Sequence, residues 1–351
     1  MTTQGSRGRV AIAWVVMMMG VPAARAEPGP GDVFREYRWT PTGGDAGGAL
    51  RVGGKKGAHD PGRGSDTGYI NDPVAVPHAL DLDGAVRAEV VIEKLLCHDG
   101  TRGLAISVND HEWLAVPEAP GIPEPQWDYQ HHTFPVVDVP LGHLVAGAGN
   151  RFRLRVSPEH PWDWPQNLIY GVHVRIYYDA AAKAAPSGGI VRVKRGDAVG
   201  RLVPLEVEAS GGDSAIARVD FVGRYEDVNL EGDGLYRRWH YRYDRAALAG
   251  VIGSATQAPW RVDWNTSWVP DQPEPMELAA WITGTNGLTR VTQSIGDVRL
   301  ERQGLHVELC RPQDVPRQRV PRQEGKEQRF TIAGYPKSAV AALPVFLSWS
   351  P

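Results

Sequence analysis

Residues 150–156 read Asn-Arg-Phe-Arg-Leu-Arg-Val, and this short segment shows the pattern that decides the fold. Arginine alternates with apolar residues, which is the period of a β-strand with one face in a core and the other in solvent. The alternation predicts that the three arginines face solvent while Phe152 and Leu154 are buried.

Similar short alternating segments recur in both directions from this one, at intervals of about ten residues. The sequence contains 40 Gly and 28 Pro, which supply the turns that many short strands need. The predicted strands are 34–39, 85–96, 103–109, 134–141, 150–156, 168–178, 202–209, 217–225, 239–243, 260–264, 276–283 and 288–300. The glycine-rich residues 43–67 are predicted to form a long irregular loop. An all-β fold follows.

The length of 351 residues predicts more than one domain. Residues 180–188 are small residues with Pro and Gly and no core-facing pattern, so they are predicted to be a linker. We expect a jelly-roll sandwich over 27–179 and an immunoglobulin-like sandwich over 189–305. Residues 306–351 are expected to be an incomplete or truncated third β segment, because one or two strands cannot bury an apolar face alone.

The N-terminus has the features of a cleavable signal peptide. Arg7 and Arg9 precede an apolar run over 10–21, and Ala24-Arg25-Ala26 provides small residues at a cleavage position before Glu27. Residues 1–26 therefore predict export, to the periplasm, the cell surface or the medium, without membrane insertion.

The charge balance argues against polyanionic partners. The formal net charge is -3, and the charged residues of both signs, 23% of the chain, are mixed along it. Neither nucleic acid nor an anionic membrane is favoured as a partner.

Two predicted loops, 126–132 and 162–167, combine aromatic and polar residues. A sugar ring stacks on Trp or Tyr while amides, carboxylates and imidazoles bind its hydroxyls. Burial of these indoles in the core is the alternative. The candidate carbohydrate-binding residues are Trp127, Tyr129, His131, His132, Trp162, Trp164 and Gln166.

A zinc site is the other interpretation of the histidines in this region, with His98, His111, Asp128 and the pair 131–132. Adjacent histidines in a strand point to opposite faces, and the spacing matches no zinc motif. This interpretation is disfavoured.

Two segments resemble known families. Residues 108–113 (Val-Asn-Asp-His-Glu-Trp) and the run 140–154 resemble the galactose-binding-domain-like jelly rolls of secreted bacterial polysaccharide-processing proteins, over about residues 34–178. Residues 259–271 and 278–281 resemble the bacterial immunoglobulin-like repeats of such proteins. The first resemblance implies a structural calcium ion near the first strands, with Asp81, Asp83 and Asp99 as its oxygen ligands. No other cofactor is implied.

Export, the sandwich pattern and the aromatic loops together predict a secreted, non-catalytic, carbohydrate-binding or adhesion-type modular protein whose partner is a polysaccharide or glycan. One alternative is a polysaccharide-active enzyme, a lyase or glycoside hydrolase, or a fragment of one. It requires two carboxylates, or a Tyr with a His, in one cleft. The other alternative is a structural cell-surface protein.

Overall fold

The computed structural model describes residues 27–41, 49–53, 74–96, 103–118, 131–156, 165–212, 214–231, 235–245, 247–310 and 337–345. Over these residues the regular structure is β-strands and one short 3-10 turn, Leu141–His143, which confirms the predicted all-β class. The strands of the first half are β1 (Val33–Trp39), β2 (Leu50–Gly53), β3 (Val74–Ala75), β4 (Ala85–Leu96), β5 (Ala105–Val108), β6 (Leu114–Ala115), β7 (His131–Thr133), β8 (Val136–Val139), β9 (Arg151–Arg155) and β10 (Pro165–Tyr178).

The second half of the chain continues with further strands. They are β11 (Ser187–Ile190), β12 (Ala198–Val199), β13 (Leu202–Ser210), β14 (Ile216–Glu226), β15 (Arg237–Trp239), β16 (Arg242–Asp244), β17 (Ala247–Ala249), β18 (Gly253–Ala255), β19 (Arg261–Asn265), β20 (Met276–Gly284), β21 (Leu288–Val291) and β22 (Ile295–Leu300). These strands pair antiparallel, except that β12 pairs parallel with β22.

The first half is a sandwich of two sheets. One contains β1, β10 and β4, with β2, β7 and β8 at its margins, and the other has the order β3-β9-β5-β6. Ile92, Ile106 and Ile169 lie completely buried in the core between them. Each such side chain contributes roughly 1.5–3 kcal/mol relative to an exposed one. Phe152 and Leu154 of β9 are buried in the same core, as the alternation predicts.

The second half has its own core, between strands β14, β20 and β22 and the sheet β11-β13-β19. Leu205, Phe221 and Leu278 are completely buried there. The end of the predicted linker belongs to this unit, since β11 pairs with β13.

One sheet runs through both halves. Strand β1 pairs with β10 along its whole length on one side, and its residues 33–35 pair with β21 on the other. The resulting order is β12-β22-β20-β21-β1-β10-β4-β7. The two cores are therefore joined by strand pairing as well as by chain connectivity.

Four segments differ from their sequence-based predictions. β2 lies inside the predicted irregular loop and pairs with β10, whose long apolar run offers it a partner. The predicted strands 239–243 and 288–300 are each divided in two. At the C-terminus, the described residues 306–310 and 337–345 contain no strand, and Val340, Leu343 and Val345 are exposed.

Strand β4 also departs from expectation. Its charged positions were predicted to face solvent, yet Glu89, Glu93 and Lys94 are buried. Residues 237–245 and 247–251, which we call the covering segment, lie on the face of the sheet that points away from the first core. Trp239 and Tyr241 of that segment pack against Trp281 and its neighbours. The charges on the covered face require partners within the protein.

Candidate functional site

The covered face carries charged side chains from three adjacent strands. In the strand register, Arg175 of β10 lies directly between Glu36 of β1 and Glu89 of β4. Opposite charges at directly opposed positions of neighbouring strands attract one another. The register therefore builds a Glu-Arg-Glu row across the sheet.

Arg175 makes hydrogen bonds in both directions along this row. Its Nε and Nη2 donate to Glu36 Oε1 at 3.1 and 2.8 Å, and its Nη1 donates to Glu89 Oε1. Arg175 is only 1% exposed. Burial alone raises the pKa of Glu36, but the guanidiniums of Arg175 and Arg38 outweigh it and hold that pKa well below its usual range. The row is thus a charged network away from solvent.

Two tyrosines complete the network. The hydroxyl of Tyr243, from the covering segment, accepts from Arg175 Nη2 at 2.6 Å and donates to Glu36. The hydroxyl of Tyr177 donates to Glu89 Oε1 at 2.7 Å. Burial raises the pKa of both phenols far above their usual value, so both remain protonated donors at neutral pH.

His173 lies beside Tyr243, with 4.1 Å between the ring centroids. The ring is completely buried, and neither nitrogen has a hydrogen-bond partner among the described residues. Burial lowers the pKa of His173 to about 4, so the imidazole is neutral at neutral pH. The neighbouring Gly171 leaves the room this ring needs, since a Cβ there would lie 3.1 Å from both His173 Nε2 and Glu93 Oε2.

A cavity of about 330 Å³ opens next to the network. Its wall is formed by the covered face of the sheet, by the residues that follow β7, and by the covering segment. Arg242 contributes a buried Nε with no hydrogen-bond partner among the described residues. The lining is Glu27, Val91, Pro117, Glu118, Thr133, Phe134, Pro135, Val136, Arg175, Glu231, Leu235, Arg238, Trp239, Tyr241, Arg242 and Tyr243. Aromatic rings and charges of both signs therefore line one partly open cavity.

Most of the predicted carbohydrate-binding residues fall outside the described residues, namely Trp127, Tyr129, Trp162 and Trp164. His131 and Gln166 are placed as strand residues only. His132 is half-buried, with Nε2 3.3 Å from Glu93 Oε1 and its ring 5.0 Å from that of Phe134.

The described ends of the two predicted loops lie at the same end of one sheet. Leu96 of β4 pairs with His131 on one side and with Asn167 on the other. One strand thus separates them, a distance of roughly 10 Å. The loop 126–132 also leads straight into the cavity wall, because Thr133 and Phe134 line it.

The predicted calcium ligands have a different partner. Lys183 Nζ lies 3.1 Å from Asp81 Oδ2 and 3.3 Å from Asp83 Oδ2. Asp99 lies outside the described residues. An ammonium group holds the position where these two carboxylates converge, so the described geometry gives the calcium prediction no support.

Sequence reasoning missed the network and the cavity. A usable signal was present: charged residues recur two positions apart in β1 and β4, as in Glu36 and Arg38 of β1, and Arg175 interrupts the apolar run of β10. Without knowledge of the covering segment, that alternation predicts a solvent-facing surface.

The comparisons with known proteins identify no family for this chain. No protein-family model and no curated protein matches the chain. A solved structure of fibronectin(III)-like modules of Clostridium thermocellum CbhA matches with 18% identity and a TM-score of 0.22, over 33% of this chain and 98% of that one. A TM-score this low supports no statement about function. Among the described residues, no helix has the length and apolar character needed to cross a bilayer.

Proposed function

We propose that the chain is a secreted, non-catalytic carbohydrate-binding protein, and that the cavity beside Tyr243 receives part of a glycan. The observation that carries the proposal is the lining of this cavity. It combines the rings of Phe134, Trp239 and Tyr241 with arginine and glutamate side chains.

This lining suits the chemistry of a sugar. The aromatic rings offer apolar surface to C–H faces, and the charged groups offer hydrogen bonds to hydroxyls. The unpartnered Nε of Arg242 is a donor that a ligand hydroxyl or carboxylate would satisfy.

The test is binding of the untagged full chain to immobilised polysaccharides and a glycan array. Arg242→Ala and Trp239→Ala are expected to weaken binding at least about tenfold, the loss typical of one good contact. Trp268→Ala is the matched control, because Trp268 is 51% exposed and lies outside the cavity lining. Circular dichroism checks that each variant is folded.

Two outcomes contradict the proposal. If no polysaccharide binds, a structural surface protein becomes the better interpretation. If the two cavity variants and the control bind alike, the cavity is not the glycan site.

A polysaccharide lyase or hydrolase is the second candidate, because the groups that it requires do converge. Tyr243 and His173 are in ring contact, and Glu36 and Glu89 flank Arg175. The burial of these groups, and the hydrogen bonds that tie Tyr243 and both glutamates to Arg175, favour a structural role, since a catalytic group has to reach its substrate. Release of reducing or unsaturated ends by the full chain, abolished in Tyr243→Phe, would instead support the enzyme.

A further inference from the structure

Three side chains with metal-binding atoms meet at one end of the first sandwich. His111 and Glu112 follow β5, and His143 ends the 3-10 turn Leu141–His143. One ligand atom from each lies within 4.8 Å of the others. The imidazoles of His111 and His143 are parallel, with centroids 4.2 Å apart, and His143 Nε2 lies 3.1 Å from Glu112 Oε1.

The backbone holds these residues in place. Asn109 and Asp110 both adopt a positive φ, of 50° and 62°, which turns the chain sharply after β5. Asn109 Nδ2 donates to the carbonyl of His143 at 2.8 Å and so ties the two loops together. Ser107 Oγ donates to the carbonyl of His111 at 2.7 Å. Hydrogen bonds around the ligands orient metal sites in the same way.

His143 is the buried member of this cluster. It is 7% exposed, and its Nδ1 has no hydrogen-bond partner among the described residues. Buried polar atoms are nearly always satisfied. Its Nε2 faces Glu112 and is the nitrogen available to an ion, whereas Nδ1 would carry the proton of the neutral ring.

We propose that His111, Glu112 and His143 bind one divalent transition-metal ion of the zinc type, with a fourth position open to water. Two imidazoles and one carboxylate form a common three-residue ligand set for zinc, whereas calcium and magnesium require more oxygen ligands.

The distances fit such an ion. Zinc bonds of about 2.0–2.1 Å place tetrahedral ligand atoms about 3.3 Å apart. His143 Nε2 and Glu112 Oε1 are already at 3.1 Å. The exposed ring of His111 has to turn out of its parallel stack on His143 to reach the same ion, because an imidazole binds a metal in the plane of its own ring. Arg151 and Arg153 on β9 are paired with Asp110 and do not compete for Glu112.

The test is calorimetric titration of the untagged full chain with Zn²⁺, after removal of metal by a chelator. Wild type is expected to bind one equivalent of Zn²⁺. His111→Ala and Glu112→Gln are each expected to reduce the affinity at least about tenfold, because even indirect changes at metal sites typically cause a loss of this size. Both residues are exposed, so both variants are expected to fold even where a change at the buried His143 does not. Co²⁺ gives a second readout, since strong visible absorption reports tetrahedral coordination.

The matched control is His306→Ala. His306 is an exposed histidine that pairs with Asp271 in the second half of the chain. Unchanged binding in this variant, together with loss in the other two, supports the site. Zinc affinity that is equal in wild type, His111→Ala and Glu112→Gln would overturn the proposal, as would the absence of any binding. Neither result bears on glycan binding at the cavity.

Discussion

Replacement of Arg175 by methionine is the sharpest test of the buried network. The substitution keeps much of the side-chain volume but leaves Glu36 and Glu89 without their shared cation. Removing one partner from a buried ion pair costs about 3–5 kcal/mol, because the remaining charge is left uncompensated. With a urea m-value of roughly 3 kcal/mol/M, the unfolding midpoint would fall by roughly 1–1.7 M.

The change of unfolding free energy with pH gives a second test of the same network. In wild type the pKa of Glu36 is depressed on folding, so its contribution is present above the unfolded value of about 4.3 and is lost as pH falls below it. Without Arg175, Glu36 loses the strongest influence that lowers its pKa, whereas burial still raises it. The stability that the variant loses relative to wild type is then expected to be smaller at pH 5 than at pH 7. Both proteins lose stability over this range through His173, because burial lowers its folded pKa to about 4, so they are compared with each other at each pH.

The assay is urea unfolding followed by tryptophan fluorescence, at pH 7 and pH 5. Arg261→Met is the control, because Arg261 forms an exposed pair with Asp263 and its loss is expected to leave the midpoint unchanged. If Arg175→Met and Arg261→Met have equal midpoints at pH 7, the buried network does not stabilise the fold and the reasoning fails.

Two further substitutions test the same region. Tyr243→Phe keeps the ring but leaves Arg175 with an unsatisfied donor, so a loss of about 1–3 kcal/mol in unfolding free energy is expected; an unchanged urea midpoint would contradict this. Gly171→Ala puts a Cβ 3.1 Å from Glu93 Oε2 and is expected to cost about 1–3 kcal/mol. Gly142→Ala is its control, since a Cβ there meets nothing within 4 Å, and equal melting temperatures for the two variants would count against the steric argument.

The strands were predictable where one face is apolar and the other polar. The segments 150–156 and 202–209 correspond closely to β9 and β13, because a period of two distinguishes core from solvent without knowledge of the partner. β2 was not predictable, since Leu50 and Val52 are its only large apolar residues and its stability comes from pairing with β10.

The candidate site was less predictable than the fold. The alternation of charged and apolar residues in β4 is the same in the sequence whether the charged face is exposed to solvent or covered by another segment of the chain. The covering segment lies about 150 residues later in the chain. It reaches Glu93 directly through the backbone N–H of Arg245, at 3.1 Å, and Glu89 only through Tyr243 and Arg175. The histidine pair of the proposed metal site also joins distant positions, 111 and 143, which no local spacing rule connects.

The position of β1 has a consequence for the order in which this molecule can assemble. β1 is made first, yet one of its two neighbours, β21, is made roughly 250 residues later. Until β21 arrives, one edge of β1 offers unpaired backbone groups to any other chain. We expect a fragment that ends near residue 180 to be prone to self-association through this edge, and the completed chain to be protected from it.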